Sequence, residues 1–250
     1  MNKHKQHYAL YKQEEEHSFK GWDFSHLDGR WEMEDLPWSY HKDVLSYLKA
    51  SDTLLDMGTG DGSILKSFNH PYTQTFVTEG YLPNYTLCKE TLEPLGISVH
   101  FCDDDLLPFE DQCFDIITNR HESFNLNEVY RVLKPGGIFI TQQVGSDNSK
   151  DLSKKLFGTD LITDESNRIH VQVEAAKSLH FEVLKAQEYH ARLSFFDVKA
   201  IVYYAKIIEW EFPNFSVDTH FDNLLKLEDE LLIKGTIDSI EHRYILVLRK

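Results

Sequence analysis

The thirteen residues Thr53-Leu54-Leu55-Asp56-Met57-Gly58-Thr59-Gly60-Asp61-Gly62-Ser63-Ile64-Leu65 constrain this chain more than any other stretch. Thr53 to Met57 is short and mostly apolar, Gly58, Gly60 and Gly62 crowd the turn, and Ser63-Ile64-Leu65 resumes an apolar pattern of helical kind. The run therefore reads as a buried strand, a glycine turn and a helix start. Without Cβ atoms, such a turn takes positive φ and brings its amides, with the helix N-terminus behind them, against a polar or charged ligand. In the dinucleotide fingerprint the glycines run G-x-G-x-x-G and the pyrophosphate sits on the helix N-terminus. Here they run G-x-G-x-G, with Asp56 at the strand end and Asp61 inside the turn. Two carboxylates beside a pyrophosphate are electrostatically unfavourable, so a cationic ligand fits better. A plain strand-to-helix turn of an α/β domain also has this form.

With 250 residues and 41% hydrophobic content, the chain has material for one large domain or a domain plus a small cap. A formal net charge of −15 repels nucleic acid and anionic membrane surfaces, so neither is an expected partner. Cys88, Cys102 and Cys113 are odd in number and lack C-x-x-C spacing, which argues against a disulfide framework or a zinc site and for a reducing, cytoplasmic compartment. The N-terminal Met1-Asn2-Lys3-His4-Lys5-Gln6 leads into no apolar segment, and no 18 apolar residues run together. The thirteen histidines are scattered, so no metal centre is expected.

Residues 1–50 read as an N-terminal helical and aromatic extension, ahead of a domain over 51–250. Phe19, Trp22, Phe24, Trp31, Trp38 and Tyr40, interleaved with Asp, Glu, Gly and Pro, show no clear periodicity and predict a loop-rich flap. Such a flap either pins the extension to the core or covers a ligand. Ser39 to Ala50 reads as a helix with Val44, Leu45 and Leu48 on one face. Strands are predicted over Thr73–Thr78, Ile97–Phe101, Phe114–Thr118 and Ile138–Thr141, with helices over Tyr81–Leu95 and Leu126–Leu133 between them. Gly145 to Asn167 reads as a polar connection, Ile169 to His180 as a helix, Phe181 to Leu193 as a sixth strand and Tyr244 to Leu248 as a seventh. A helical insertion at about 195–235, containing Asp197–Ile208 and a helix around Phe221–Leu232, precedes that last strand. It suits a substrate cap or a dimer surface.

The glycine turn, the acid Glu79 at the end of the second strand, the segment Cys102-Asp103-Asp104-Asp105-Leu106-Leu107-Pro108-Phe109 followed by Asp111, Phe114 and Asp115, and the run Arg131-Val132-Leu133-Lys134-Pro135-Gly136-Gly137 stand in this order over residues 53–145. The series resembles the class I S-adenosylmethionine-dependent methyltransferases, closest to the group that methylates small molecules. The resemblance implies an α/β, Rossmann-like fold: a seven-stranded mixed sheet in the order 3-2-1-4-5-7-6 with helices on both faces. It implies S-adenosyl-L-methionine as cofactor, held by Asp56, Gly58, Thr59, Gly60, Glu79, Gly80, Asp103, Asp104 and Asn119. Glu79, about twenty residues after the glycine turn, takes the place that accepts from ribose hydroxyls in this fold and in dinucleotide-binding ones. On the family's pattern Asp103 accepts from the adenine amino group and Asp104 supplies an amide to the ring.

Methyl transfer from a sulfonium is an in-line displacement with a neutral leaving group, so holding the acceptor in place supplies most of the catalysis. A general base is needed only where the acceptor must lose a proton. His121 is the candidate base, and Trp38 and Arg120 are candidate substrate residues. The expected activity is methyl transfer to a small-molecule acceptor by an enzyme that could form a homodimer. The alternatives are an RNA or protein methyltransferase and a non-catalytic module that binds the cofactor.

Overall fold

The computed structural model describes residues 3–19, 24–102, 106–161 and 164–250. Its strands are β1 (Trp31–Met33), β2 (Leu54–Met57), β3 (Thr75–Glu79), β4 (Ser98–Phe101), β5 (Phe114–Arg120), β6 (Leu133–Val144), β7 (Glu182–Phe195) and β8 (Ile237–Arg249). Its helices are α1 (Lys3–Glu15), α2 (Tyr40–Tyr47), α3 (Ser63–Ser67), α4 (Leu82–Thr91), α5 (Leu126–Val132), α6 (Lys150–Phe157), α7 (Ile169–Ser178), α8 (Val198–Ile207) and α9 (Val217–Lys234). Contacts gather these into two units. The larger holds 36–145, 165–189 and 243–250, and the smaller holds residues up to 35, 146–164 and 190–242.

In the larger unit β2 is parallel to both β3 and β5, and the register sets Asp56 beside Val77 and Thr118, and Met57 beside Thr78 and Asn119. β3 pairs in parallel with β4 and β5 with β6, while β8 returns antiparallel to β6. Alternation sends side chains to both faces of this sheet. Leu54, Ile116, Ile140 and Val247 are buried with Tyr40 and Val44 of α2, Leu65 of α3 and Cys88 of α4. Leu55, Ile117, Phe139 and Leu246 are buried with Val129 of α5 and Ile169 and Ala176 of α7. Helices on both faces, with β2 flanked by strands that lie on either side of it, place the ligand-binding crevice outside the C-terminal ends of β2 and β5.

The expectation of seven strands in the order 3-2-1-4-5-7-6 is corrected. Eight are present among the described residues, in the order β1-β7-β8-β6-β5-β2-β3-β4. The addition is β1, which lay unnoticed in the aromatic segment: Trp31, Glu32 and Met33 pair antiparallel with Phe195, Ser194 and Leu193. Three residues are too few to show a period of two.

The Lys134-Pro135-Gly136-Gly137 segment, which precedes the strand expected over Ile138–Thr141, lies within β6. Its glycines are required there. Gly136 has φ +79°, and a Cβ on Gly137 would stand 2.8 Å from the Lys134 carbonyl oxygen and 3.1 Å from that of Asp115. Asp115 ties the region together, since its Oδ2 accepts from Lys134 Nζ at 2.7 Å and from Thr53 N at 2.8 Å.

In the smaller unit Tyr11 of α1, Leu152 and Leu156 of α6, Phe195 of β7, Ile201 and Tyr204 of α8 and Leu224 of α9 form one buried cluster. Phe19, Phe24 and Trp31 pack against it, so these aromatics pin the N-terminal segment to the helices around 195–235; Trp22 lies outside the described residues. α6 occupies part of what reads in sequence as a connection. Asp197 caps α8 by accepting from Ala200 N at 2.8 Å and is gripped by Arg30 through Nε at 2.9 Å and an η nitrogen at 2.8 Å. Asp147, His190 and His242 each bring a ligand-type atom within 4.8 Å of the others. All three are already engaged: His242 Nδ1 accepts from Asp147 N at 3.1 Å, Asp147 Oδ1 accepts from Lys150 Nζ at 2.8 Å, and His190 Nε2 lies 3.3 Å from Asp147 Oδ2. No helix among the described residues is long and apolar enough to cross a membrane.

Candidate active site

The site is built at the C-terminal edge of the parallel strands in the larger unit. After Met57 the chain turns through Gly58 (φ +64°), Gly60 (φ +60°) and Gly62 (φ +70°). Gly58 N and Thr59 N both donate to the Thr78 carbonyl, at 3.0 and 3.2 Å, which fixes the start of the turn to β3. Glu79 closes it. Its Oε2 accepts from Gly60 N and its Oε1 from Tyr81 N, both at 2.9 Å, and the residue is 4% exposed. Cys88 Sγ donates to the Gly60 carbonyl at 3.0 Å from α4, and burial pushes its thiol up to about 12.

The three glycines serve different ends. A Cβ on Gly62 would meet Leu92 at 2.9 Å, so this glycine lets α3 pack; a Cβ on Gly58 would lie 2.5 Å from Cβ and Cγ of Glu122. At Gly60 nothing lies within 4 Å of that position, so the turn is open to a ligand there. Replacing each by Ala separates the two roles. Gly58→Ala, with a clash added to positive φ, is expected to lower unfolding stability by about 3 kcal/mol, and Gly60→Ala by about 1 kcal/mol. Urea unfolding of the two variants measures this, and equal losses would contradict it.

Asp56, 8% exposed at the end of β2, accepts from Thr118 Oγ1 at 2.6 Å. Its carboxyl is pushed up to about 6, first by burial and then by the negative charge of Glu79, against the pull of the Thr118 hydroxyl. Glu122 is raised too, by its surroundings and by Glu79. Three carboxylates, Asp56, Glu79 and Glu122, thus stand around one glycine turn.

Asn119, fully buried at the end of β5, is held by its carbonyl. Oδ1 accepts from Thr141 Oγ1 at 2.9 Å and from Gln143 Nε2 at 2.5 Å. Its Nδ2 has no hydrogen-bond partner, while the buried Thr59 hydroxyl lies beside the Asp56 carboxylate. A buried donor left without a partner is costly, and a ligand in the crevice relieves it. Gly80 is half-buried just beyond Glu79. Asp103 and Asp104 lie outside the described residues.

His121 follows β5 with φ +61°, and its N–H donates to the Gln142 carbonyl at 2.9 Å. Neighbouring atoms crowd the ring, although the residue as a whole keeps open surface. That crowding, with the positive charges of Arg243 and Arg120, holds its pKa well below the ordinary histidine value. Arg120 itself is exposed. Trp38 Nε1 donates to Gln142 Oε1 at 2.9 Å, and Gln142 Nε2 lies 3.2 Å from His121 Nε2.

The structure therefore brings Asp56, Gly58, Thr59, Gly60, Glu79 and Asn119 together. It links Trp38 to His121 through a residue the sequence reading passed over, Gln142. Glu122 and Gln143 were passed over as well. The one signal available was polarity in a buried strand: Thr141-Gln142-Gln143 continues directly from Ile138-Phe139-Ile140.

A group with a sulfonium, an amino group, a ribose and an adenine, but no phosphate, fits these residues. Carboxylates surround the turn, Gly60 is open, and Asn119 holds a buried amide N–H toward no protein partner.

Known proteins agree with the fold and the motifs. Residues 55–141 match the family described as "Methyltransferase domain". A ubiquinone/menaquinone biosynthesis C-methyltransferase of Desulfotalea psychrophila is 36% identical over 93 residues, which are 34% of this chain and 38% of that protein. A malonyl-[acyl-carrier protein] O-methyltransferase of Marinomonas sp. is 25% identical over 151 residues, 56% of this chain and 54% of that protein. The chain thus spans between a third and just over a half of these relatives' lengths. An S-adenosylmethionine-dependent methyltransferase from Mesorhizobium loti superposes with a TM-score of 0.50 at 11% identity, over 85% of this chain and 98% of that one. With the turn, the acid at the end of β3 and the parallel sheet that carries them, residues 55–141 match a methyltransferase domain, and the chain shares its fold with an S-adenosylmethionine-dependent methyltransferase of known structure.

Proposed function

We propose that this protein transfers a methyl group from S-adenosyl-L-methionine to a small-molecule acceptor. The observation that carries the reading is the gathering of Asp56, Glu79 and Glu122 around an open glycine turn. A cation is attracted by that arrangement and a pyrophosphate is repelled. When bound, the cofactor supplies an electrophilic methyl group on a sulfur that leaves as a neutral thioether.

The chain's own residues bind and orient. Gly58, Thr59 and Gly60 shape the cradle, and Gly80 continues it past β3. Glu79 fixes the turn with one lone pair on each oxygen and keeps others for a diol. Asp56 offers a buried negative charge to the cofactor's positive end, and Asn119 offers a buried amide donor. Asp103 and Asp104 take the adenine in this reading. Trp38 and Arg120 stand on the acceptor's side, next to His121.

Relatives named for methylating carbon in quinone biosynthesis and oxygen on malonyl-[acyl-carrier protein] support an acceptor smaller than a nucleic acid. The formal charge of −15 supports it further. Incubating the whole chain with methyl-labelled cofactor tests this. Label is expected in a panel of small quinols, acids and thioesters; label in tRNA, rRNA or bulk protein and in none of the panel would contradict it.

A further inference from the structure

The hydrogen bonds around His121 define which of its nitrogens carries the proton. An indole N–H can only donate, so the atom of Gln142 that faces Trp38 Nε1 at 2.9 Å is the carbonyl Oε1. The other end of that amide is then NH2, which also can only donate, and it stands 3.2 Å from His121 Nε2. His121 Nε2 must therefore be the bare, accepting nitrogen. A neutral imidazole with a bare Nε2 carries its proton on Nδ1.

The backbone supports the same arrangement. His121 is held in the left-handed region at φ +61°, a conformation that costs a non-glycine residue about 1 kcal/mol or more and is found where the surroundings over-determine it. Here His121 N donates to the Gln142 carbonyl at 2.9 Å while the Gln142 amide donates to the ring. Backbone and side chain are tied to one residue of β6. The flanking residues reach the turn: Asn119 lies beside Met57 in the sheet, and Glu122 covers Gly58.

We propose that Trp38 and Gln142 are positioning residues that lock His121 as a neutral Nδ1–H tautomer, so that His121 meets the methyl acceptor as a hydrogen-bond donor to an oxyanion and not as a general base. The role as acceptor contact rests on the methyl-transfer reading; the tautomer does not. An accepting nitrogen already occupied by Gln142 has no lone pair to take a proton from substrate. Nδ1–H has no protein partner among the described residues and is the atom left to face a ligand. Arg120 and Arg243, whose charges act on the ring, make a carboxylate, phenolate or enolate oxygen the preferred occupant. The charges of these two cations act on the ring, and the three carboxylates lie around the turn.

Long-range nitrogen–proton correlation spectra of the full-length chain, labelled at histidine, read the tautomer directly. In the wild type Nδ1 is expected to be protonated and Nε2 bare at neutral pH, and still so near pH 6.5, where a free histidine is about half protonated. Gln142→Glu puts a group that only accepts against Nε2 and is expected to move the proton there. Trp38→Phe frees the amide to rotate and is expected to give both tautomers. An Nε2–H or imidazolium form in the wild type overturns the proposal. A tautomer unchanged in folded Gln142→Glu does so too, and if that variant does not fold, an unchanged single tautomer in Trp38→Phe decides. Acetate, the probe for an oxyanion, is expected to shift the wild-type Nδ1 resonance saturably; a resonance indifferent to acetate removes the donor role. Failure of the methyl-transfer reading shows separately, as absence of S-adenosylmethionine binding.

Discussion

Glu79→Ala is expected to lower affinity for S-adenosylmethionine on the order of 100-fold, from the loss of two charge-assisted hydrogen bonds of about 1.5 kcal/mol each. Both bonds run to the backbone of the site: Oε2 to Gly60 N and Oε1 to Tyr81 N, each at 2.9 Å. Alanine leaves both amides without an acceptor, and the open part of the glycine turn is no longer fixed to the end of β3. Any direct contact between the carboxylate and the ligand adds to this loss. Glu79→Gln keeps one accepting oxygen and should fall between wild type and alanine. Isothermal titration of the three proteins ranks them, and an alanine variant that binds like the wild type would remove Glu79 from the site.

Asp56→Asn is expected to move stability and binding in opposite directions. In the folded protein the Asp56 carboxyl titrates at about 6, against an ordinary value of 3.8. Between those values the folded state holds more protons than the unfolded one, so stability falls as pH rises through the window. Above it the ionised group costs at most about 3 kcal/mol, two units at roughly 1.4 kcal/mol each. Asparagine keeps an oxygen for the Thr118 hydroxyl and carries no charge, so at neutral pH the apoprotein should gain stability, by no more than that amount. A cationic cofactor prefers the ionised carboxylate, so the same substitution should weaken binding at least tenfold, and wild-type affinity should fall as pH drops below about 6. Thermal unfolding of the two apoproteins with titrations across this range measures both effects. A variant that is less stable and binds equally well would mean that Asp56 is a structural acid only.

Residues whose places follow from backbone position were legible in the sequence. Gly58, Gly60, Asp56 and Glu79 are placed by a strand end and a turn, and both are local features. The five parallel strands of the larger unit were legible for the same reason, because each is a short apolar run closed by a turn signal. β1 was not, because three residues have no period to read. α6 was missed since its apolar face is only Leu152, Leu156 and Phe157 within a polar stretch.

The polar network of the site was the least legible part. Gln142 meets Trp38 across 104 residues and Gln143 meets Asn119 across 24, pairings that come from the β5–β6 register and from the packing of the segment before α2. Glu122 became visible only once Gly58 was seen to have no room for a Cβ. Read along the chain alone, His121 looks like a free base. In space it meets Gln142, which Trp38 holds in turn.

The most direct test of the account is a calorimetric titration of the whole chain with S-adenosylmethionine at neutral pH. One saturable site is predicted, with affinity that weakens as pH is lowered through about 6 and that NADH does not match. No binding of S-adenosylmethionine, or tighter binding of NADH, would contradict it.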